Sequence, residues 1–186
     1  MIYPLLCAMS AGEDNAGYAP ANGAFRANQG AEYPMSVNSD QFRDVMGRFA
    51  TGVTVVTTAN DGRLDGFTAS SFSSLSLDPP LVLVCLGTDS ACHEVFTEGG
   101  CFAINILSVE QADLSVRFSS VVGDRFQGIE HSRWVTGAPI LDGAIAAIDC
   151  RLHAVHEGGD HSILVGRVER LGAIREEAEP LIYYRG

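Results

Sequence analysis

The sequence predicts a mainly β chain with about three helices, closed as an antiparallel barrel. Three observations carry this. Short β-branched or apolar runs alternate with Gly, Asp and Pro turn signals along most of the chain. Two long runs flank a Gly-Gly-Asp turn near the C-terminus. Helical spacing is confined to a few stretches. Many short strands joined by tight turns favour closure, because an open sheet leaves unpaired edges.

The elements are taken in chain order. Residues 1–36 are rich in Ala, Gly, Asn and Pro, lack periodicity and read as a flexible tail. Residues 37–186 read as the folded domain. In "SDQFRDVMGRFATG", Phe42, Val45, Met46 and Phe49 follow helical spacing. Ser39 is placed to cap this helix and Gly52 to end it, and its apolar face should lie on a sheet. "VTVVTTA" is a strand, "NDGR" a hairpin turn and "LDGFTASSF" the returning strand. "PPLVLVCLG" is a third strand, apolar throughout and so expected buried on both faces, with its prolines confined to the entry.

"DSACHEVFTEGG" reads as a short helix starting at Asp89 or Ser90, and "CFAINIL" as a strand. "SVEQADLSVRFSS" opens on Ser108 and Gln111 in capping-box spacing and continues as a helix. Residues 120–143 read as loop anchored by Trp134. Two long strands then surround "GGD", and "PLIYYRG" ends the chain as a short strand.

Composition narrows the function. The chain has 186 residues, 46% of them hydrophobic, enough for one compact domain. The formal net charge is -11, which repels nucleic-acid phosphates and anionic lipid heads. Every basic residue is Arg. The five cysteines are odd in number and include no CxxC, unlike a disulfide framework. Cys85, Cys101 and Cys150 sit in apolar runs and read as buried small hydrophobes. No segment reaches the roughly 18 apolar residues of a membrane span, so a cytoplasmic protein is expected. His153 and His156 lie three apart in a strand and face opposite ways, which is poor metal geometry. His93 and His131 read as surface residues. No nucleophile elbow, P-loop or Rossmann glycine motif occurs.

The densest chemistry lies in "GFTASSFSSLSLDPP", where hydroxyls alternate with apolar side chains. With its neighbours, as "TGVTVVTTANDGRLDGFTASSFSSLSLDPPLVLVCL", it resembles the signature of the small flavin reductases, the reductase partners of two-component flavin-dependent monooxygenases. "CFAINIL", "DRFQGI", "GDHSILVGRV" and "PLIYYRG" resemble that family's further motifs, in the same order. The likeness runs from about Phe42 to Gly186.

The resemblance implies a homodimer with the flavin-binding (FMN-binding) split β-barrel, a Greek-key antiparallel barrel. It implies hydride transfer from NADH or NADPH to FAD or FMN, and release of the reduced flavin to a separate monooxygenase. Thr68, Ala69, Ser70, Ser71, Ser74 and Leu75 would form the flavin groove, where short hydroxyl donors beside apolar surface suit a ring bearing a ribityl chain. Val53, Thr54 and Val55 would border it, although on pattern alone they are core strand residues. Cys85, Leu86, Asn105 and Tyr184 complete the implied flavin and nicotinamide surroundings. Ser90 would stand near the flavin phosphate, while its neighbour Asp89 disfavours phosphate and serves equally as a helix cap.

His161 is the implied nicotinamide-facing residue, orienting the dinucleotide or relaying a proton; the spacing alone also fits a turn histidine. Asp160 either fixes the imidazole or only makes the turn. Arg125 and Arg185 are candidates for dinucleotide phosphate or dimer contacts. Three rivals remain on sequence: a flavin carrier or sensor without reductase activity, a pyridoxamine-phosphate-oxidase-like enzyme, and a structural barrel subunit.

Overall fold

The β-branched run after Gly52 pairs on both sides, and the rest of the fold is laid against it. The computed structural model describes residues 37–120 and 124–185; the expected tail, residues 1–36, lies outside them. Asn38–Gly186 forms one compact unit.

The first helix is α1, Ser39–Met46. It is followed by β1 (Thr51–Gly52), β2 (Thr54–Asn60), β3 (Arg63–Ala69), β4 (Ser73–Leu77) and β5 (Pro80–Gly87). Helix α2 (His93–Glu98) leads to β6 (Cys101–Ile106). A 3-10 turn, Val109–Gln111, precedes α3 (Ala112–Ser119). Then come β7 (His131–Arg133), β8 (Pro139–Leu141), β9 (Ala146–Glu157), β10 (His161–Ala173) and β11 (Ile182–Tyr183). Seven strands form one antiparallel sheet in the order β3-β2-β6-β9-β10-β5-β4. Two small ladders, β1–β11 and β7–β8, flank it.

The mainly β architecture matches the expectation. The Asp-Gly hairpin forms with Asp61 at φ 48° and Gly62 at φ 82°, the left-handed pair that a two-residue turn of this hand requires. The sheet curls around a core in which Val56 and Phe67, from one end of the strand order, meet Val84, Leu86 and Leu164 from the other. Its edge strands β3 and β4 share no ladder among the described residues. Instead the Ser71 hydroxyl takes up the free edge of β5 beyond β4. It accepts from the Cys85 N–H at 3.0 Å and donates to the Cys85 carbonyl at 3.3 Å.

Several expectations need correction. Helix α1 is capped by the Asn38 side chain, which accepts from Asp40 N, and it ends at Gly47 rather than Gly52. Its apolar residues do not lie on the sheet: Phe42, Val45, Met46 and Phe49 are all exposed. Strand β5 is buried on one face only, through Val82, Val84 and Leu86; Leu81, Leu83 and Cys85 face outward and are half-buried. Helix α2 starts at His93 with Cys92 at its cap position, later than Asp89 or Ser90. Residues 120–143 contain the β7–β8 hairpin, and Arg170 stacks over the expected anchor Trp134 at 4.4 Å. Strand β4 was not anticipated.

Cys101 and Cys150 are buried as expected. Burial, reinforced by the carboxylates of Asp149 and Glu169, pushes the Cys150 thiol up to about 12. Native protein treated with iodoacetamide at about pH 9 is therefore expected to stay unmodified at Cys150, since the thiolate is the nucleophile. Peptide mass mapping checks this. Labelling before unfolding would show that the β6–β9 core opens. No helix among the described residues is long and apolar enough to cross a membrane.

Candidate functional site

The antiparallel register of β5 and β10 sets His161 opposite Gly87, where the outgoing chain turns toward α2. A cleft of ≈ 410 Å³ opens there. Of the residues expected from sequence, Thr68, Cys85, Leu86, Ser90 and His161 line it. They come from β3, β5, the loop into α2 and β10, so the fold gathers them from four separate segments. Phe67 edges the lining with the buried Phe118 behind it, and Asp89 and Arg125 complete the charged lining.

The imidazole is held at one nitrogen. His161 Nδ1–H donates to Asp160 Oδ1 at 2.8 Å. That bond, and then the imidazole's charge, holds the Asp160 carboxyl below its ordinary range. Nε2 is left turned toward Gly87. A Cβ at Gly87 would lie 4.0 Å from that Nε2 and 3.0 Å from Asp89 Oδ1, so glycine keeps the space beside the imidazole open.

The hydroxyls divide by what they already bond. Thr68 Oγ1 donates to the Ser115 carbonyl at 2.6 Å. Thr54 Oγ1 donates to the Ala69 carbonyl at 2.8 Å. Ser90 Oγ and Cys92 Sγ share a hydrogen bond at 3.2 Å. The Ser70 and Ser74 hydroxyls have no partner among the described residues.

Ser70 and Ser71 do not face the cleft. They line a second depression of ≈ 590 Å³ with Phe42, Met46, Phe49 and Tyr183. Tyr184 follows Tyr183 and is exposed, while Ser74 and Leu75 lie exposed on β4, outside both depressions. The hydroxyl run therefore turns from one depression to the other at Ser70.

Five expected contacts lie within the protein. Val55 and Asn105 are fully buried, and Val53, Thr54 and Ala69 nearly so. Asn105 Nδ2 donates to the Val55 carbonyl and the Thr57 hydroxyl, at 3.1 and 3.2 Å, and its Oδ1 accepts from Leu141 N at 2.8 Å. Its amide ties β2, β6 and β8 together. Val53 and Val55 belong to the core with Leu107, Phe118 and Leu141.

Arg125 is likewise engaged within the protein. Its NH1 donates to Asp65 Oδ1 at 2.9 Å and to the Gly66 carbonyl at 2.7 Å, and its Nε to the Ser120 carbonyl at 2.9 Å. The Arg125 and Asp65 side chains are 12% and 13% exposed, so the pair neutralises itself at the cleft wall. Arg185 lies near Asp44 at 3.9 Å.

Sequence reasoning missed Phe67, Gly87 and Phe118 at the cleft and His93 behind it. Phe118 reaches the cleft from α3, on which nothing local marks it. His93, expected at the surface, is half-buried with Nε2 at 2.9 Å from Ser162 Oγ. His131 is likewise half-buried, bonded through Nδ1 to the Ile129 carbonyl at 3.0 Å.

The comparisons with known proteins agree with the resemblance. A family model described as the flavin reductase like domain matches residues 46–186. The reductase subunit HsaB of a flavin-dependent monooxygenase from Rhodococcus jostii is 45% identical over 157 residues, covering 84% of this chain and 80% of that protein. An FMN reductase (NADH) from Agrobacterium fabrum is 40% identical over 159 residues, covering 86% and 90%. Among solved structures, an NADH:FAD oxidoreductase from Streptomyces globisporus, in complex with NAD and FAD fragments, superposes with a TM-score of 0.75 at 36% identity, covering 82% of this chain and 93% of that one. With the cleft, the sheet order and these matches together, the chain belongs to the flavin reductase like domain family.

Proposed function

We propose that this chain is an NAD(P)H:flavin oxidoreductase that takes FMN or FAD as hydride acceptor and passes the reduced flavin to a separate monooxygenase. The observation that carries the reading is the cleft in which the held imidazole of His161 faces Gly87 among Thr68, Cys85, Leu86 and Ser90. The residues present fit a flavin: the half-buried Cys85 and the edges of Phe67 and Leu86 make an apolar floor, with the buried Phe118 behind it, and Ser90 offers a polar contact. The flavin, when bound, supplies the hydride-accepting chemistry.

The protein's own work is then positional. Such a transfer needs no protein acid or base, so His161 acts by holding the nicotinamide ring against the flavin. Asp160 fixes the imidazole from behind. Thr68 bonds within the protein and serves the cleft by shape and backbone, whereas Ser70 and Ser71 open to the second depression.

The functional unit is a homodimer in which the split barrel closes. The support is the apolar surface left by α1 and the C-terminal strand: Phe42, Met46, Phe49, Ile182 and Tyr184 are each more than half exposed. The domain spans 37–186 and works in the cytoplasm.

The test is nicotinamide oxidation, followed by its absorbance, with NADH or NADPH and with FMN, FAD or no flavin added. Oxidation that depends on added flavin supports the reading and identifies the preferred pair. Flavin binding without oxidation in any combination overturns it in favour of a carrier or sensor.

A further inference from the structure

The His161 segment is gripped from one side by the loop that carries Ser90. Thr88 N and Thr88 Oγ1 both donate to the Asp160 carbonyl, at 3.0 and 3.1 Å. His93, the first residue of α2, meets Ser162 Oγ at 2.9 Å through Nε2. These contacts fall on the residues immediately before and after His161. The second is the better protected, because Ser162 is only 8% exposed and His93 is half-buried.

The same short segment is internally stiff. Ser90 N donates to the Gly87 carbonyl at 3.1 Å and His93 N to the Ser90 carbonyl at 2.9 Å. His93 is thus tied by its backbone to Ser90 and by its side chain to the strand bearing His161. Ser90 and His161 line the same cleft.

We propose that His93 is a positioning residue: its Nε2 bond to Ser162 braces the two walls of the cleft that carry Ser90 and His161. The inference rests on the reductase reading. His93 does not line the cleft, so it acts through the placement of His161. Gripping both neighbours of one residue limits how far its side chain moves, and small displacements of a group that orients a reactant are costly in rate. A glutamine amide nitrogen reaches about as far as a histidine Nε2, so His93→Gln can restore the bond to Ser162.

The experiment measures kcat and KM for NADH, flavin affinity and thermal stability in four proteins: His93→Ala, His93→Gln, Ser162→Ala and the double alanine variant. The expected result is a kcat lower by on the order of tenfold in His93→Ala. Flavin affinity stays unchanged, most of the rate returns in His93→Gln, and the double variant is no slower than His93→Ala. Unchanged kcat in His93→Ala overturns the brace. So does failure of glutamine to rescue, or additive losses in the double variant. If His93→Ala does not fold, slower turnover in Ser162→Ala with retained turnover in His93→Gln supports the brace, and any other pairing overturns it. Wild-type protein is run in the same assay. Absent flavin reduction there overturns the functional reading itself, whereas an active wild type with unresponsive variants overturns only the brace.

Discussion

Gly166→Val is expected to lower folding stability by about 3 kcal/mol or more, through overpacking of a site with no room to yield. A Cβ at Gly166 would lie 2.4 Å from Phe102 Cζ and 2.8 Å from Cys150 Cβ. Both distances are far inside van der Waals contact. Phe102 is fully buried among Val84, Ile104 and Leu164, so its ring has no cavity to swing into. Cys150 Cβ is one bond from the β9 backbone and moves only if the strand does. The pairing of β9 with β10 is already irregular between Val165 and Gly166, and a glycine there permits the close backbone approach to Phe102 and Cys150. Urea unfolding of wild type, Gly166→Ala and Gly166→Val measures the cost. Alanine should already destabilise, since its Cβ meets the same atoms. A loss below about 1 kcal/mol for valine would show that Phe102 rotates aside, and that the core is looser than its burial indicates.

The fold was legible where local chemistry and tertiary pairing point the same way. The Asp61–Gly62 turn places two residues at positive φ, and so folds the β-branched strand β2 back onto β3. The long β9 and β10 strands were legible for the same reason, around the turn ending in Asp160. Strand β4 was not: Leu75 and Leu77 alternate with serines, but the run is short and both leucines are exposed, so its pairing comes from the neighbouring β5. The burial of β5 was overread. Hydrophobicity on both faces looks the same in a sequence whether the second face meets protein or is left half-covered.

The candidate site shows the same division. Thr68, Ser70 and Ser74 are close in sequence, yet they face the cleft, the second depression and the β4 edge respectively. The strand turns between them, and contiguity gave no hint of it. Thr54 and Asn105 were placed near the flavin by resemblance; the tertiary structure shows their side-chain donors bonded to acceptors within the protein. His93 was invisible as a brace because its partner lies 69 residues away. His161 was singled out by the resemblance, and the turn that carries it beside Asp160 was legible locally.

His161→Ala is expected to lower kcat/KM for NADH by about tenfold to a hundredfold, the range associated with losing the orientation of a bound reactant. Folding should be untouched, because the side chain is 48% exposed and its one bond is to an exposed carboxylate. Flavin affinity should change little, since Thr68, Ser90 and the apolar lining remain. Asp160→Asn should shift the rate in the same direction with a smaller loss, because an amide oxygen still accepts from Nδ1–H. The pH dependence has a defined sign. The Asp160 carboxyl is held below its ordinary value by its bond to His161, so the ionised acceptor is present at neutral pH and is lost only as pH falls through that lowered value. Any loss of rate caused by protonating Asp160 therefore begins below the ordinary aspartate range, and Asp160→Asn removes that part. Steady-state kinetics across pH, with flavin affinity measured by fluorescence quenching, checks both parts. A His161→Ala variant with wild-type kcat/KM would separate the imidazole from the dinucleotide and return it to the role of a turn residue, leaving Gly87 and the Ser90 loop as the surfaces on which a nicotinamide would have to be held.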